Sequence, residues 1–137
     1  MVITKVFVYG TLKPGEVNYQ RYCQGKVIHA QAAIARGQLY DLPLGYPAMI
    51  LGEGWVKGFV LTFDNPEILD ILDELEAYSP HRPPTANEYQ RCQIEALTLM
   101  GHSLGFVWAY LMNDAQVKAI AGQLVTNGVW QSSESSI

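Results

Sequence analysis

One helix is strongly signalled in this chain, and it stands among strands. The stretch "DNPEILDILDELEAYSP" opens on Asp64-Asn65-Pro66. Asp64 or Asn65 can cap the first turn, Pro66 suits the first helical position, and Glu67 favours the positive end of the dipole. Pro80 and the following "RPP" cannot continue a helix, so the element is expected to end near Tyr78. At about 100° per residue, Ile68, Leu72 and Leu75 form a core stripe flanked by Leu69 and Ile71, which assigns Asp70, Asp73 and Glu74 to water. Glu76 falls roughly 60° from the stripe's centre, the one carboxylate of the helix body at the apolar boundary.

Around this helix the sequence reads as strands. Val2–Tyr9, Lys26–Tyr40, Ala48–Leu51 and Gly54–Phe63 ("GWVKGFVLTF") are rich in β-branched and aromatic residues. Gly37 marks a bulge or a close backbone approach. Tyr89–Met100 and Ser103–Tyr110 flank Gly101-His102, the clearest hairpin signal. Glu16–Gln24 and Ala115–Leu124 are expected as short helices, Asp41–Pro47 and Ser79–Asn87 as loops, and about 128–137 as a loose tail. Neither repeat nor linker interrupts the 137 residues. One domain, 1–137, of mixed α+β class with mostly antiparallel strands follows.

With 49% apolar residues the chain can bury a core. A net charge of −4, only nine Lys and Arg, and no basic stripe argue against a nucleic-acid partner. No apolar run approaches the roughly 20 residues of a membrane span. Lys5 interrupts the apolar opening and no small-residue cleavage site follows, so a strand rather than a leader is expected there. Cys23 and Cys92 form no CxxC pair and read as reduced, packed thiols of a cytoplasmic protein. His29, His81 and His102 are scattered and show no metal-ligand spacing, so no metal or cofactor is expected.

Two stretches carry candidate chemistry. In "KVFVYGTLKPGE" a strand ends in a glycine-opened turn. Gly10 and Gly15 have the spacing of a phosphate loop, but Glu16 and Val17 occupy its Lys and Ser/Thr positions, so that loop is excluded. A plain surface turn and a turn whose N–H groups hold an anion such as a carboxylate both stand. On the helix, Glu76 is either a half-buried carboxylate with a raised pKa, suited to proton transfer, or a side chain that bends out to water. Eight tyrosines include Tyr9, Tyr78, Tyr89 and Tyr110 at element ends, where they either line one mouth of the sheet or pack its edges.

"VFVYGTLKPG" and "LDELEAY" together resemble the gamma-glutamylcyclotransferase-like family, whose pattern is a first strand ending in YGTL and a later helix bearing LDxxEGY. The resemblance covers most of the chain, including the proline-rich loop, "YQR" entering a strand, "GFVWAYL", and a final "NGVW" similar to the family's Gly-Asp-Trp. It implies a small, mixed, mostly antiparallel β-barrel flanked by a few helices, with a pocket at its mouth. It further implies that Tyr9, Gly10, Thr11 and Leu12 hold the substrate, that Glu76 is the acid/base, and that Tyr89 and Tyr110 line the pocket. The implied reaction is cleavage of a gamma-glutamyl amide by the substrate's own α-amine, releasing 5-oxoproline and an amine. A non-catalytic small-molecule binding module and an interaction protein are the alternatives on the same fold. One departure stands out: Ala77 follows Glu76 where the family usually has glycine. If that position needs positive φ, alanine costs about 1 kcal/mol.

Overall fold

The computed structural model describes residues 3–131. Six strands, β1 (Thr4–Val8), β2 (Val27–Asp41), β3 (Pro47–Phe63), β4 (Gln90–Leu97), β5 (Ser103–Leu111) and β6 (Gln123–Leu124), accompany two α-helices, α1 (Ile68–Leu75) and α2 (Asp114–Ala119). The strand order is β3-β1-β5-β4-β2-β6, and β3 also pairs with β2. The second pairing closes the first five strands into a ring and leaves β6 on the outside edge of β2. Only β1 and β5 run parallel, so the α+β, mostly antiparallel architecture is as expected.

Alternation along the strands explains how the ring fills. Phe7, Ala33, Ala35, Ile94, Ala96, Val107 and Ala109 form one buried cluster to which all five ring strands contribute, with Val56 and Val60 from β3. Its alanines fit the narrow interior of so small a ring. The neighbouring positions Val6, Val8, Leu61 and Phe63 face the other way and bury Ile68 and Leu72 of α1 and Val117 of α2. Burying one such side chain stabilises the fold by roughly 1.5–3 kcal/mol, which is what holds α1 against the strands.

The second half of the ring depends on a break in register. Arg36 pairs with Trp55, but Gln38 pairs with Ile50, so β2 advances two residues while β3 advances five. The surplus residues Leu51–Gly54 bulge into solvent and bend the ribbon. Gly37 lies at the break because a Cβ there would stand 2.5 Å from the Ile50 carbonyl oxygen. Ala48–Leu51 and Gly54–Phe63 are therefore one long strand, not two separate ones.

Other boundaries also differ from the sequence reading. The short helix expected at Glu16–Gln24 is present over residues 17–23, mostly as a wide π-helical turn at Tyr19–Cys23. The regular part of α1 starts at Ile68, two residues after Pro66, and Asn65 Oδ1 accepts from the Glu67 N–H at 2.9 Å in the turn that leads into it. α2 has a complete capping box between Asn113 and Gln116, but it stops at Ala119. Ala121 turns left-handed with φ 63°, and Gln123–Leu124 then pair with Tyr40–Asp41 as β6. The chain is not loose from residue 128. The Gly128 carbonyl accepts from Lys57 N–H, and the buried Trp130 donates its indole N–H to Asp41 Oδ1 at 2.9 Å. Residues 132–137 of the expected tail lie outside the described residues. Among the described residues no helix is long and apolar enough to cross a membrane.

Candidate active site

Strand β1 delivers the chain to a cavity of about 320 Å³. Its wall includes Tyr9, Gly10, Thr11 and Leu12 from the turn after β1, Glu76 from the end of α1, and Tyr89 and Tyr110 from β4's entry and β5. All seven residues singled out in the sequence thus meet at one place. Tyr78 does not; its ring packs beneath the Arg91 guanidinium on a neighbouring face.

The turn uses its carbonyls internally. Gly10 O accepts from Lys13 N–H, and Thr11 O accepts from Asn18 and Tyr19 N–H at 3.0 and 3.2 Å. Asn18 Nδ2 donates to Thr11 Oγ1 at 2.8 Å, which pins the turn from the side. The N–H groups of Gly10, Thr11 and Leu12 find no acceptor among the described residues. Buried N–H groups are normally paired, and main-chain donors left free on cavity residues are groups of the kind that can hold an anion. Lys13 takes no part in it: its Nζ donates to the Trp130 carbonyl, and burial lowers its pKa. Gly10 is dictated by space, since a Cβ there would come within 2.6 Å of the Pro47 ring.

Glu76 is the C-cap residue of α1, with its N–H still bonded to Leu72 O at 2.9 Å. The next two residues close the helix as a Schellman motif: Tyr78 N–H reaches Asp73 O and Ala77 N–H reaches Glu74 O. That motif needs a left-handed residue, and Ala77 supplies it at φ 52°. The position where the family usually carries glycine therefore does require positive φ here, and alanine adopts it. Glu76's carboxylate has neither hydrogen-bond nor ion-pair partner among the described residues. Burial, and secondarily the negative charge of Glu88, pushes its pKa up from 4.5 to about 8.

The phenols form a fixed wall. Tyr9 donates to the Tyr110 carbonyl at 2.6 Å, Tyr110 to Asp73 Oδ1 at 2.7 Å, and Tyr89 to the Pro47 carbonyl at 2.7 Å. Burial raises the pKa of each, so they stay neutral. Asp73 is itself a correction to the helical-wheel reading. It is buried, not solvent-facing, because Tyr110 and Arg91 reach it from β5 and β4. Arg91 Nε lies 3.0 Å from Asp73 Oδ1 without a directed hydrogen bond, and its guanidinium sits 4.6 Å from the Trp108 ring centre. Burial raises Asp73's pKa against the opposing pull of Tyr110 and Arg91.

Sequence reasoning missed Tyr46, Pro47, Asn18 and Glu88, which also line the cavity. Tyr46 donates its hydroxyl to the Glu88 carboxylate, linking two loops across the wall. The visible signal was adjacency: Glu88 immediately precedes Tyr89, and Tyr46 ends a Pro- and Gly-rich loop. Cys23 is buried, its pKa raised to about 11, and Cys92 is half-buried; neither lines the cavity. Among the described residues no group of three or more His, Cys, Asp or Glu is placed to hold a metal ion.

A strand ring with an aromatic, carboxylate-bearing cavity of this size is a small-molecule pocket in its dimensions. The sequence model of the family "Gamma-glutamyl cyclotransferase, AIG2-like" matches residues 6–132, and the chain belongs to that family. It is 33% identical over 109 residues to the gamma-L-glutamyl-butirosin B gamma-glutamyl cyclotransferase of Niallia circulans, covering 80% of this chain and 68% of that protein. Its fold is like that of a mouse AIG2-like protein, with a TM-score of 0.71 at 20% identity over 96% of this chain and 90% of the other. It is also like Bacillus subtilis YkqA, with a TM-score of 0.64 at 21% identity, but spans only 40% of that longer chain.

Proposed function

We propose that this protein is a gamma-glutamyl cyclotransferase-type enzyme that cleaves a gamma-glutamyl amide, with Glu76 as the acid/base. The observation that carries the reading is the unpartnered Glu76 carboxylate, its proton affinity raised close to neutrality, in the same cavity as the free N–H groups of the Gly10–Leu12 turn.

In this reading the turn holds the substrate's α-carboxylate through main-chain donors. The glutamyl chain folds between the fixed phenols so that the α-nitrogen meets the γ-carbonyl. Orienting that intramolecular attack can supply roughly 7–11 kcal/mol of the barrier. Glu76 takes one proton from the α-ammonium, the free amine bonds to the γ-carbon, and the amide C–N bond breaks. That proton returns through Glu76 to the departing nitrogen, and the second proton of the attacking nitrogen follows by the same route, giving 5-oxoproline and the ammonium form of the amine with no water consumed. A group with a pKa near the working pH is suited to take and give back the same proton. The family's chemistry and the relative's action on a gamma-glutamyl compound support the substrate class.

The test is 5-oxoproline release by the purified protein from a panel of gamma-glutamyl amines and dipeptides. Turnover of at least one member is expected. Thermal stabilisation by those compounds without turnover would favour the binding-module alternative instead.

A further inference from the structure

Glu88 has no role in the proton transfer just described, yet three separate elements hold it at the cavity. Its N–H donates to the Ala77 carbonyl at 3.0 Å, tying it to the turn that ends α1. Its carbonyl accepts from Gln116 Nε2 of α2 at 3.0 Å. Its carboxylate accepts from the Tyr46 hydroxyl of the β2–β3 loop. Gln116 is also the residue that completes the capping box of α2, so the helix start and the Glu88 backbone are fixed by one side chain.

The place it is fixed matters as much. Glu88 is partly exposed between the buried Asn87 and Tyr89, and Tyr46 is partly exposed between the exposed Pro43–Gly45 and the buried Pro47. The pair therefore stands at the rim of the cavity, whereas Tyr9, Gly10 and Leu12 are buried in its depth. A substrate whose glutamyl half is held by the deep turn presents its leaving half to this rim.

The charges do not balance within the protein. Glu76 and Glu88 both line the cavity, neither is ion-paired among the described residues, and no Lys or Arg lines it. Arg91 pairs with Asp73, Arg82 turns to Asn87, and Lys13 donates to Trp130. Glu76 is half-buried, and a second carboxylate on the same cavity wall disfavours its charged form unless a cation lies between them. The substrate's α-ammonium supplies one positive charge, which Glu76 meets. A second carboxylate calls for a second cation.

The geometry points to Glu88, clamped by Tyr46, as a specificity residue that selects gamma-glutamyl amides whose leaving amine carries an additional positive charge. The inference rests on the cyclotransferase reading for the orientation of the substrate.

Two isosteric substrates test it: the gamma-glutamyl amide of ethylenediamine, which ends in an ammonium, and that of n-propylamine, which ends in a methyl. The wild type is expected to favour the ammonium form in kcat/KM by about tenfold, in line with a partly desolvated charge contact. Raising the ionic strength should shrink that ratio. Glu88→Gln keeps an oxygen for the Tyr46 hydroxyl but removes the charge, and the ratio should fall to about one. A wild-type ratio near one, or a ratio unchanged in Glu88→Gln, overturns the inference. If the wild type releases no 5-oxoproline from either compound, the cyclotransferase reading fails instead. Thermal shift with the same pair then decides for Glu88: preferential stabilisation by the ammonium form, lost in Glu88→Gln, upholds it, and equal stabilisation or none sinks it.

Discussion

Replacing Ala77 by glycine should make this protein more stable while leaving its chemistry almost untouched. Ala77 holds φ 52° as the left-handed residue of the Schellman turn after α1. That conformation costs an L-residue with a Cβ about 1–2 kcal/mol. Glycine removes this strain but enlarges the entropy of the unfolded chain, which returns about 0.4–1 kcal/mol. A net gain of about 0.5–1 kcal/mol remains, equivalent to about 2–5 °C in Tm for a domain of this size. Glu76 is positioned by the bonds from its own N–H to Leu72 O and from Tyr78 N–H to Asp73 O, which glycine keeps. Accordingly kcat should stay within about threefold of wild type. Ala121, exposed at φ 63°, is the control: Ala121→Gly should raise Tm similarly, far from the cavity. Thermal unfolding and steady-state kinetics on both variants suffice. A lower Tm for Ala77→Gly would show that the backbone strain assigned to this turn is not there.

The turn after β1 should respond to shape more than to hydroxyl chemistry. Gly10→Val drives a Cβ to within 2.6 Å of Pro47 Cγ and should cut kcat/KM by about 100-fold or more, whereas Thr11→Ala, which loses only the bond from Asn18, should cost about three- to tenfold. Equal, mild effects in steady-state kinetics would remove the turn from the site. The Glu76 carboxyl also makes stability depend on pH. Below pH 4.5 it is protonated in both folded and unfolded chains; between 4.5 and about 8 the unfolded chain releases the proton and the folded one keeps it, so stability falls as pH rises, and the loss is complete above about 8. The full shift corresponds to at most ~5 kcal/mol, and water at the cavity mouth reduces it to about 1–2 kcal/mol. Glu76→Gln should therefore match the wild type in Tm near pH 4.5 and exceed it by about 3–8 °C at pH 8.5. A constant difference across that range would show that Glu76 titrates as an ordinary surface carboxylate.

What the sequence made legible follows the range of the forces involved. The phase of α1 carried Glu76 to the apolar boundary because its backbone, at φ −88° and ψ 7°, stays close to helical one residue past Leu75. The same arithmetic misplaced Asp73, since a helical wheel knows only one partner surface, and Tyr110 and Arg91 approach from the side. Strand existence was readable from local patterning. The long register break opposite Gly37 was not, because it is set by pairing between segments more than ten residues apart. β6 was hidden by the helix-like composition of Gln116–Leu124, and only the left-handed Ala121 reveals where the helix stops. Tyr46 and Glu88 meet across 42 positions, a contact that neither loop encodes by itself.

The most direct measurement compares Glu76→Gln with Glu74→Gln for 5-oxoproline release from the best gamma-glutamyl amide of the panel. Both changes replace a carboxyl by an amide at nearby positions of one helix end, but Glu74 is exposed on α1 and Glu76 lines the cavity. Glu76→Gln keeps the shape of the side chain and cannot accept a proton at neutral pH. Its kcat should fall by about 10²–10⁴, or about 2.7–5.4 kcal/mol of barrier, while Glu74→Gln stays near wild type. Equal turnover by the two folded variants would contradict the assignment of Glu76 as the acid/base.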